Sequence, residues 1–210
     1  ESPERLNAIL EKVAEGGNGS FTAESRPHKD WLGEGWYRDL GVCLGAAKRL
    51  DLEMWLFDED WWPSQTVAGK VPERYAAKKL VGKAVRVQPG GTYEEGAPQT
   101  TNYIASVAGR LDADGAVEAD TLIDLTPLAR KGPVRWTTPT DGKPWQVMVF
   151  SWERAPKLKQ GKRLAVDGMS RDCVEWYIRT VYEPHAARFG SDFGKTIPGY
   201  FYDEPETPSD

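Results

Sequence analysis

Apolar residues recur at the spacing of an α-helix in two early stretches of the chain. This spacing predicts helices over residues 3–15 and 35–50, and a pair of glycines ends the first of them. Residues 18–24 and 53–58 read as short strands, and the segment 72–83 again has helical spacing after a proline suited to a first turn. Helices that alternate with strands in this way predict an α/β fold with parallel strands and crossover helices.

From residue 97 to residue 155 the pattern becomes that of antiparallel strands. Short apolar or alternating runs occur at residues 103–107, 121–125, 134–137 and 146–152. Asp-Gly and Gly-Pro pairs separate these runs, and such pairs are typical of turns between neighbouring strands. We therefore expect a small antiparallel β unit inserted into the α/β pattern.

The helix–strand pattern returns after an exposed connection at 156–162. A strand is predicted at 163–166, a long helix at 170–189 and a last strand at 196–202. The predicted domain organisation is therefore a first α/β part over 1–96, the inserted β unit over 97–155, and a continuation of the α/β part over 156–210.

Composition and charge exclude several classes of protein. The 210 residues are 40% hydrophobic and 28% charged, which is enough for a core and argues against global disorder. The net charge is −5 and no stripe of Lys and Arg stands out, so we expect no nucleic-acid partner. No apolar run approaches 18 residues, so no membrane span is expected. No secretory leader is present, but a mature form would have lost one, and we expect a periplasmic or secreted location.

The residues that bind metals or form disulfides are few, whereas tryptophans are many. Two cysteines and two histidines cannot build a disulfide framework or a histidine-rich metal centre. Nine tryptophans and eight tyrosines accompany them. An indole ring beside carboxylates suits a sugar site, because the apolar face of the sugar stacks on the ring while its hydroxyls bind the acids. The alternative is that the large rings only fill a core. We expect Trp31, Trp61 and Trp62 to form stacking walls.

Three of the predicted strands end in acidic residues. Residues 58–60 follow one strand, Asp167 follows another, and Asp203-Glu204 follow the last. The carboxyl ends of parallel strands meet at one edge, so these acids would share a site. The alternatives are that they cap helices or lie in solvated turns. Pro205 fixes the chain directly after Glu204, which favours a positioned side chain there.

Carboxylates that face each other across a sugar are the minimal machinery for cleaving a glycosidic bond. One acts as acid on the leaving oxygen, and the other is a base for water or a nucleophile. Glu204 is the first candidate for the acid, with Asp203 beside it. The triplet Asp58, Glu59 and Asp60 could supply a partner acid, ligands for sugar hydroxyls, or, for Asp58 and Asp60, ligands for calcium. Arg26, His28 and Asp167 are further candidates for binding the substrate.

Two segments of the chain resemble a known family of enzymes. Residues 56–64 read LFDEDWWPS and residues 68–71 read AGKV, which is similar to the segment WLYDEDxWPSGxAGGxV of large glycoside hydrolases related to the family 106 α-L-rhamnosidases. Residues 193–206, FGKTIPGYFYDEPE, resemble their segment FGxxIxGFFTDEPE. Residues 65–66 depart from the first pattern because Gln-Thr replaces its Gly-containing pair.

The resemblance implies part of a (β/α)8 TIM-type barrel with the inserted β unit, hydrolysis of a terminal sugar from a plant or microbial glycan, and calcium in the site. In it, Glu204 is similar to a catalytic carboxylate at a strand end. A whole barrel needs about 250 residues, so we expect the rest of the barrel to come from the same, longer chain. Two other hypotheses stay open, namely a non-catalytic carbohydrate-binding module or inactive fragment, and a structural domain whose tryptophans pack a subunit interface.

Overall fold

The fold is described by a computed structural model that covers residues 1–26, 28–96, 101–159 and 162–205. The strands are β1 Ser20–Ala23, β2 Glu53–Phe57, β3 Lys78–Val87, β4 Thr92–Glu95, β5 Tyr103–Arg110, β6 Ile123–Asp124, β7 Val134–Thr137, β8 Trp145–Arg154 and β9 Tyr200–Phe201. The helices are α1 Pro3–Glu15, α2 Glu34–Leu50, α3 Thr126–Ala129, α4 Arg171–Tyr177 and α5 Glu183–Phe189. The chain forms two compact units, one made of Glu1–Ala77 with Ala155–Asp210 and the other of Lys78–Arg154.

The first unit is built on a parallel sheet with the strand order β1-β2-β9. The helix α2 connects β1 to β2, as a parallel pair requires. Met54, Leu56 and Tyr200 lie on the sheet face that contributes to the core with the apolar face of α2. Asp30 fixes the start of α2, since its carboxylate accepts a hydrogen bond from the Gly35 N–H at 2.7 Å.

A long helical segment closes this unit. A π-helical stretch, Ile178–Tyr182, joins α4 to α5 without a break. His185 is fully buried and ties the segment to α2, because its Nε2 accepts a hydrogen bond from the Trp36 Nε1–H at 2.9 Å. Its Nδ1 lies 2.6 Å from the carbonyl oxygen of Val181. The imidazole is therefore neutral, with its proton on Nδ1.

The second unit is an antiparallel structure. Its larger sheet has the order β3-β8-β5-β6, and β4 pairs with β7 in a smaller one. β3 and β8 pair over ten residues, from Lys78 opposite Arg154 to Val87 opposite Trp145. One face of the large sheet packs on β4, β7 and α3 and forms the core of the unit, which contains Val87, Tyr93, Ala108, Leu125, Ala129, Val134, Trp145 and Val147.

The prediction of part of a TIM-type barrel is wrong. Strands and helices do not alternate along the described chain as a barrel requires, and most strand residues lie in antiparallel pairs. In the described part of 78–154, the connections between strands contain turns and short helical pieces and no crossover helix. The likeness to a barrel came from the early alternation of helix and strand, which extends over only three parallel strands.

Two further predictions about local structure are wrong. The helix predicted over 72–83 is one 3₁₀ turn, Glu73–Tyr75, followed by β3. The strand predicted over 163–166 is reduced to one bridge between Ala76 and Val166.

The division into 1–96, 97–155 and 156–210 stays a prediction. β3 and β4, which precede residue 97, pair with strands that follow it. Residues 160–161 of the predicted connection lie outside the described part. No helix in the described ranges has the length and apolar character of a membrane span.

Candidate functional site

The three parallel strands end at one edge of the sheet, and most of the candidate residues follow these ends. Residues 24–26 follow β1, residues 58–60 follow β2, and residues 202–204 follow β9. Open parallel sheets bind their ligands at this edge. The structure therefore brings Glu204 and the triplet 58–60 together on one side of the first unit.

Asp58 is a buried anchor at this edge. Its Oδ1 accepts a hydrogen bond from the Ser64 hydroxyl at 2.7 Å, and its Oδ2 accepts from the hydroxyls of Tyr182 at 2.9 Å and Tyr177 at 3.1 Å. Burial raises the pKa of Asp58, while the three hydroxyl donors act in the opposite direction. With both oxygens engaged and no exposed surface, Asp58 organises the site and is not available to a substrate.

Glu59 is equally buried and holds a strained loop. Its two carboxylate oxygens accept four backbone N–H groups, from residues 60, 66, 67 and 68, at 2.6–3.0 Å. Val67 and Ala68 have φ values of 49° and 54°, which non-glycine residues rarely adopt. Burial raises the pKa of Glu59 to about 7, and the backbone donors oppose that effect. The carboxylate thus holds the loop that follows Trp61 and Trp62 in a conformation that it would not keep alone.

Asp60 is bound by an arginine from a distant part of the chain. The Arg163 guanidinium donates to both of its carboxylate oxygens, through Nη1 to Oδ1 and through Nη2 to Oδ2 at 3.0 Å. Asp60 raises the pKa of Arg163 through these bonds. Because a bidentate pair of this kind is strong and directional, Asp60 has a structural partner at this edge.

Ser64 joins the ends of β2 and β9. Its Oγ donates to Asp58 and accepts a hydrogen bond from the Asp203 N–H at 3.0 Å. The Ser64 N–H in turn donates to the Asp203 carbonyl oxygen, also at 3.0 Å. Both backbone groups of Asp203 are thereby fixed to one buried residue. This link determines where the chain at Glu204 leaves the sheet.

Glu204 is the acid that remains on the surface. Its Oε2 accepts a hydrogen bond from the Trp62 indole N–H at 3.0 Å. Its φ is 39°, an unusual value for a residue that precedes a proline. Tyr202, two residues before it, is 42% exposed, and Trp61, the neighbour of Trp62 in sequence, is 49% exposed. An exposed carboxylate beside aromatic rings, on a constrained backbone, is suited to contact a sugar.

Arg26 connects β1 to the other two strands of the sheet. Its guanidinium lies 5.0 Å above the centre of the Phe57 ring and 3.4 Å from Asp203 Oδ2. Its Nη2 also pairs with Glu24 at 2.5 Å. A cation on an aromatic face between two carboxylates is held by several interactions at once. It places a positive charge next to the strand-end acids Glu24 and Asp203.

Three of the predicted site residues lie elsewhere in the first unit. Trp31 is buried in the core and cannot form a wall for a ligand in this structure. Asp167 lies at the turn before α4, where its Oδ1 accepts from the Met169 N–H at 3.2 Å. His28 packs edge-on against Trp36 and lies 3.4 Å from Asp39. Glu206, the last residue of the second family-like segment, lies outside the described residues.

A cavity of about 690 Å³ begins beside this edge. It follows the outer side of β1, and its wall includes Glu24, Arg26 and His28 at one end and apolar residues of α1 and α2 at the other. Arg26, which touches Asp203, therefore borders both the strand-end acids and the cavity. A ligand bound at the acids has room to extend along β1.

The residues expected to bind calcium do not fit the ion. Asp58 accepts three hydroxyl donors, and Asp60 faces the Arg163 guanidinium, so protons and a positive charge occupy the directions from which a cation would bind. In the described part of the chain, no group of three or more acidic, histidine or cysteine side chains could hold a metal ion. We therefore assign no role to calcium at this site.

The partners that make these acids structural are not evident from the sequence pattern. Ser64 stands inside the first family-like segment, but its role depends on Asp203, 139 positions away. Tyr177 and Tyr182 read as core residues of a helix, and Arg163 as part of a strand. The only available signal was indirect, because a buried carboxylate requires nearby donors.

Comparisons with known proteins show a likeness of fold. No protein-family model matches the chain, and no curated protein matches its sequence. The chain is similar in structure to a rhamnosidase from Novosphingobium sp. PP1Y, with a TM-score of 0.55 and 11% identity over 91% of this chain. It spans 36% of the length of that rhamnosidase. At this identity the comparison supports a rhamnosidase-like relation in fold alone.

Proposed function

We propose that this chain is part of a rhamnosidase-like glycoside hydrolase that acts on a terminal sugar, with Glu204 as its acid/base residue. The observation that carries the proposal is the position of Glu204, an exposed strand-end carboxylate bound by Trp62. The similarity in fold to a rhamnosidase supports the same class of reaction. The other acids at this edge, Asp58, Glu59 and Asp60, serve in the proposal as the support of the site.

In the proposed reaction, Glu204 donates its proton to the glycosidic oxygen as the bond to the sugar breaks. A water molecule then adds to the sugar carbon and gives up a proton, which restores the acid form of Glu204. Trp62 holds the carboxyl group in place through its indole N–H. Asp203 lies on the same strand end and stabilises the positive charge that develops on the sugar ring. Arg26 keeps the Asp203 carboxylate in position. The exposed ring of Trp61 offers a surface on which the sugar can stack.

The test compares Glu204→Gln with the parent in the complete natural protein that contains this chain. Rates are measured on p-nitrophenyl α-L-rhamnoside and on a rhamnose-containing disaccharide. The sugar alcohol that leaves from the disaccharide depends on protonation more strongly than nitrophenolate does. General acid catalysis contributes about 10²- to 10⁴-fold. We expect a loss in that range on the disaccharide and a smaller loss on the nitrophenyl substrate.

Glu11→Gln is the matched control, because Glu11 is an exposed acid on α1 with only a surface partner, Arg49 at 3.3 Å. It should leave both rates within twofold of the parent. If Glu204→Gln also stays within twofold on both substrates, the role given to Glu204 is wrong.

A second candidate function is sugar binding without cleavage. It is favoured by the exposed aromatic residues that follow the strand ends or belong to them, since Phe201, Tyr202 and Trp61 are 38%, 42% and 49% exposed. Titration of tryptophan fluorescence with rhamnose-containing oligosaccharides, together with analysis of released sugar, separates the two functions. Saturable binding with no release of sugar over days would favour the binding function.

A further inference from the structure

The strand β3 forms one edge of the larger sheet in the second unit. It pairs with β8 on one side, and no strand of the described chain pairs with it on the other. It is ten residues long, its register against β8 is regular throughout, and it contains no proline. Leu80 is 65% exposed, and Gly82, Ala84 and Arg86 are also exposed. Edge strands of this length are normally bulged or covered, because their unpaired backbone groups can bind another strand.

The hydrogen bonds of β8 indicate which backbone groups of β3 point outward. The Ala155 N–H, directly after β8, donates to the Ala77 carbonyl oxygen at 2.8 Å, whereas the Trp152 N–H donates towards β5, to the Asn102 carbonyl oxygen at 2.9 Å. Because this direction alternates along a strand, the odd-numbered residues of β8 face β3. The pairing register then turns the odd-numbered residues of β3 towards β8. The N–H and C=O groups of residues 80, 82, 84 and 86 therefore point away from the sheet, where a further strand can bind them.

A groove runs beside this edge. β3 and β4 follow each other along the chain, but they belong to different sheets, and residues 88–91 connect them. A cavity of about 480 Å³ lies between the two strands, and its wall includes Lys83, Val85 and Val87 of β3 and Tyr93 of β4. Val87 and Tyr93 belong to the core of the unit. A strand added along β3 would therefore place alternate side chains over an apolar floor.

The charges of β3 argue against a second copy of the same strand as the occupant. β3 carries three lysines and one arginine and no acidic residue. Since outward-pointing residues must face each other, two antiparallel β3 strands overlap most in two registers. One sets Lys78 opposite Arg86, and the other sets Lys83 opposite its own copy. Like charges directly opposite each other are destabilising, and lysines on an edge strand commonly prevent self-pairing.

Arg86 indicates the charge of a strand that does fit. Its side chain is exposed, and among the described residues no carboxylate forms an ion pair with it. Lys83 differs in this respect, because its ammonium lies 3.4 Å from Glu95 of β4. An acidic side chain directly opposite Arg86 would therefore form a new cross-strand pair, which favours an acidic strand over a basic one.

We infer that β3 binds an extended peptide of a partner protein as an additional antiparallel strand of the larger sheet. The outward N–H and C=O groups of β3 supply the hydrogen bonds, as in other cases of strand addition to a free edge. Apolar side chains at alternate positions of the peptide enter the groove, and an acidic side chain faces Arg86. Antiparallel pairing is the more stable arrangement. Seven peptide residues, about 23 Å in length, match β3 from residue 80 to residue 86.

The site is independent of Glu204, because it lies wholly on β3 and β4 of the second unit. The inference therefore goes beyond the proposed function. The Glu204→Gln variant should bind the peptide as the parent does, whatever its effect on hydrolysis.

The probe is the fluorescein-labelled peptide Glu-Val-Thr-Val-Thr-Val-Glu, whose valines would face the groove and whose glutamates lie at both ends. Binding to the 210-residue chain is measured by fluorescence anisotropy, and we expect it to saturate. N-methylation of the two threonines removes N–H groups that would face β3, and it should weaken binding at least tenfold. N-methylation of the first and last valines removes N–H groups on the opposite edge of the peptide, and it should change binding less than twofold.

Two variants at one position test the edge of β3 itself. Gly82→Pro removes an outward N–H without removing a hydrogen bond to β8, and we expect it to weaken binding at least tenfold. Gly82→Ala is the matched control, because it keeps the N–H, and a Cβ at this position meets Phe150 at the ordinary contact distance of 3.4 Å. It should stay within twofold of the parent. If Gly82→Pro does not fold, the two methylated peptides decide the question on the parent chain.

A peptide in which lysines replace both glutamates tests the charge of the occupant. The parent should bind the glutamate peptide at least threefold more tightly than the lysine peptide, and Arg86→Glu should remove that preference. Sedimentation of the parent should show a monomer. A dimer that is lost in Gly82→Pro would overturn the choice of a foreign strand over a second copy. The inference also fails if the glutamate peptide does not bind, if the two methylated peptides bind alike, or if Gly82→Pro binds as well as Gly82→Ala.

Discussion

The buried histidine between α2 and α5 should make the first unit sensitive to mild acid. His185 accepts a hydrogen bond from the Trp36 indole N–H, so a proton added to its Nε2 would face another N–H group. Burial lowers the pKa of His185 from 6.5 to about 4. The unfolded chain therefore takes up this proton first, and the free energy of unfolding falls as the pH drops from 6.5 towards 4.

The size of the effect follows from the two pKa values. At about 1.4 kcal/mol per pH unit, the difference amounts to about 3 kcal/mol well below pH 4, of which about 2 kcal/mol is already lost at pH 5. Other groups also titrate in this range, among them Glu59 with its raised pKa, but they are common to the parent and to a histidine variant, so the difference between the two proteins isolates the contribution of the histidine. Since domains are stable by only about 5–15 kcal/mol, a loss of this size is readily measured.

The assay is urea denaturation followed by tryptophan fluorescence at pH 7 and pH 5. His185→Gln removes the titrating group, so its drop in stability between these pH values should be about 2 kcal/mol smaller than that of the parent. His28→Gln, which removes the other histidine, should leave the contribution of His185 in place. If the parent and His185→Gln lose the same stability on acidification, the argument from burial is refuted.

Other perturbations test the links at the carboxyl edge and at the start of α2. Ser64→Ala leaves the Asp203 N–H and an Asp58 oxygen without their partner and should lower the free energy of unfolding by about 2 kcal/mol. Ser191→Ala is its control, because that exposed hydroxyl makes only a 3.4 Å contact and should have an effect within about 0.5 kcal/mol. Asp30→Ala removes the acceptor for the Gly35 N–H and should cost about 1 kcal/mol in thermal or urea unfolding, and an unchanged stability would show that α2 does not depend on this contact.

Local patterns predicted the first helices and strands well, because the spacing of apolar residues within each segment matches the element that it forms. α1 has the bounds 3–15 expected from its apolar spacing, and β1, α2 and β2 lie within a residue or two of their expected places. The segment 72–83 shows where this reasoning stops. Its spacing suits a helix, but pairing with β8, which is more than 60 residues away, makes half of it a strand.

The candidate site shows the same limit at the level of single side chains. That Asp58, Glu59, Asp60, Asp203 and Glu204 would meet at one edge could be predicted, because parallel strands end together. The different environments of these five acids could not be predicted from the sequence. Apart from Ser64, the side-chain donors that fix Asp58 and Asp60 come from residues about 100 or more positions later in the chain.

The amino-acid sequence alone therefore determined the local elements and the presence of acids at strand ends, since both depend on short-range spacing. The tertiary structure decided that the chain is not part of a barrel, and that Glu204 remains on the surface while Asp58 and Glu59 are enclosed. The physical reason is that burial and hydrogen-bond partners depend on which distant segments pack together. Spacing along the chain carries no information about that choice.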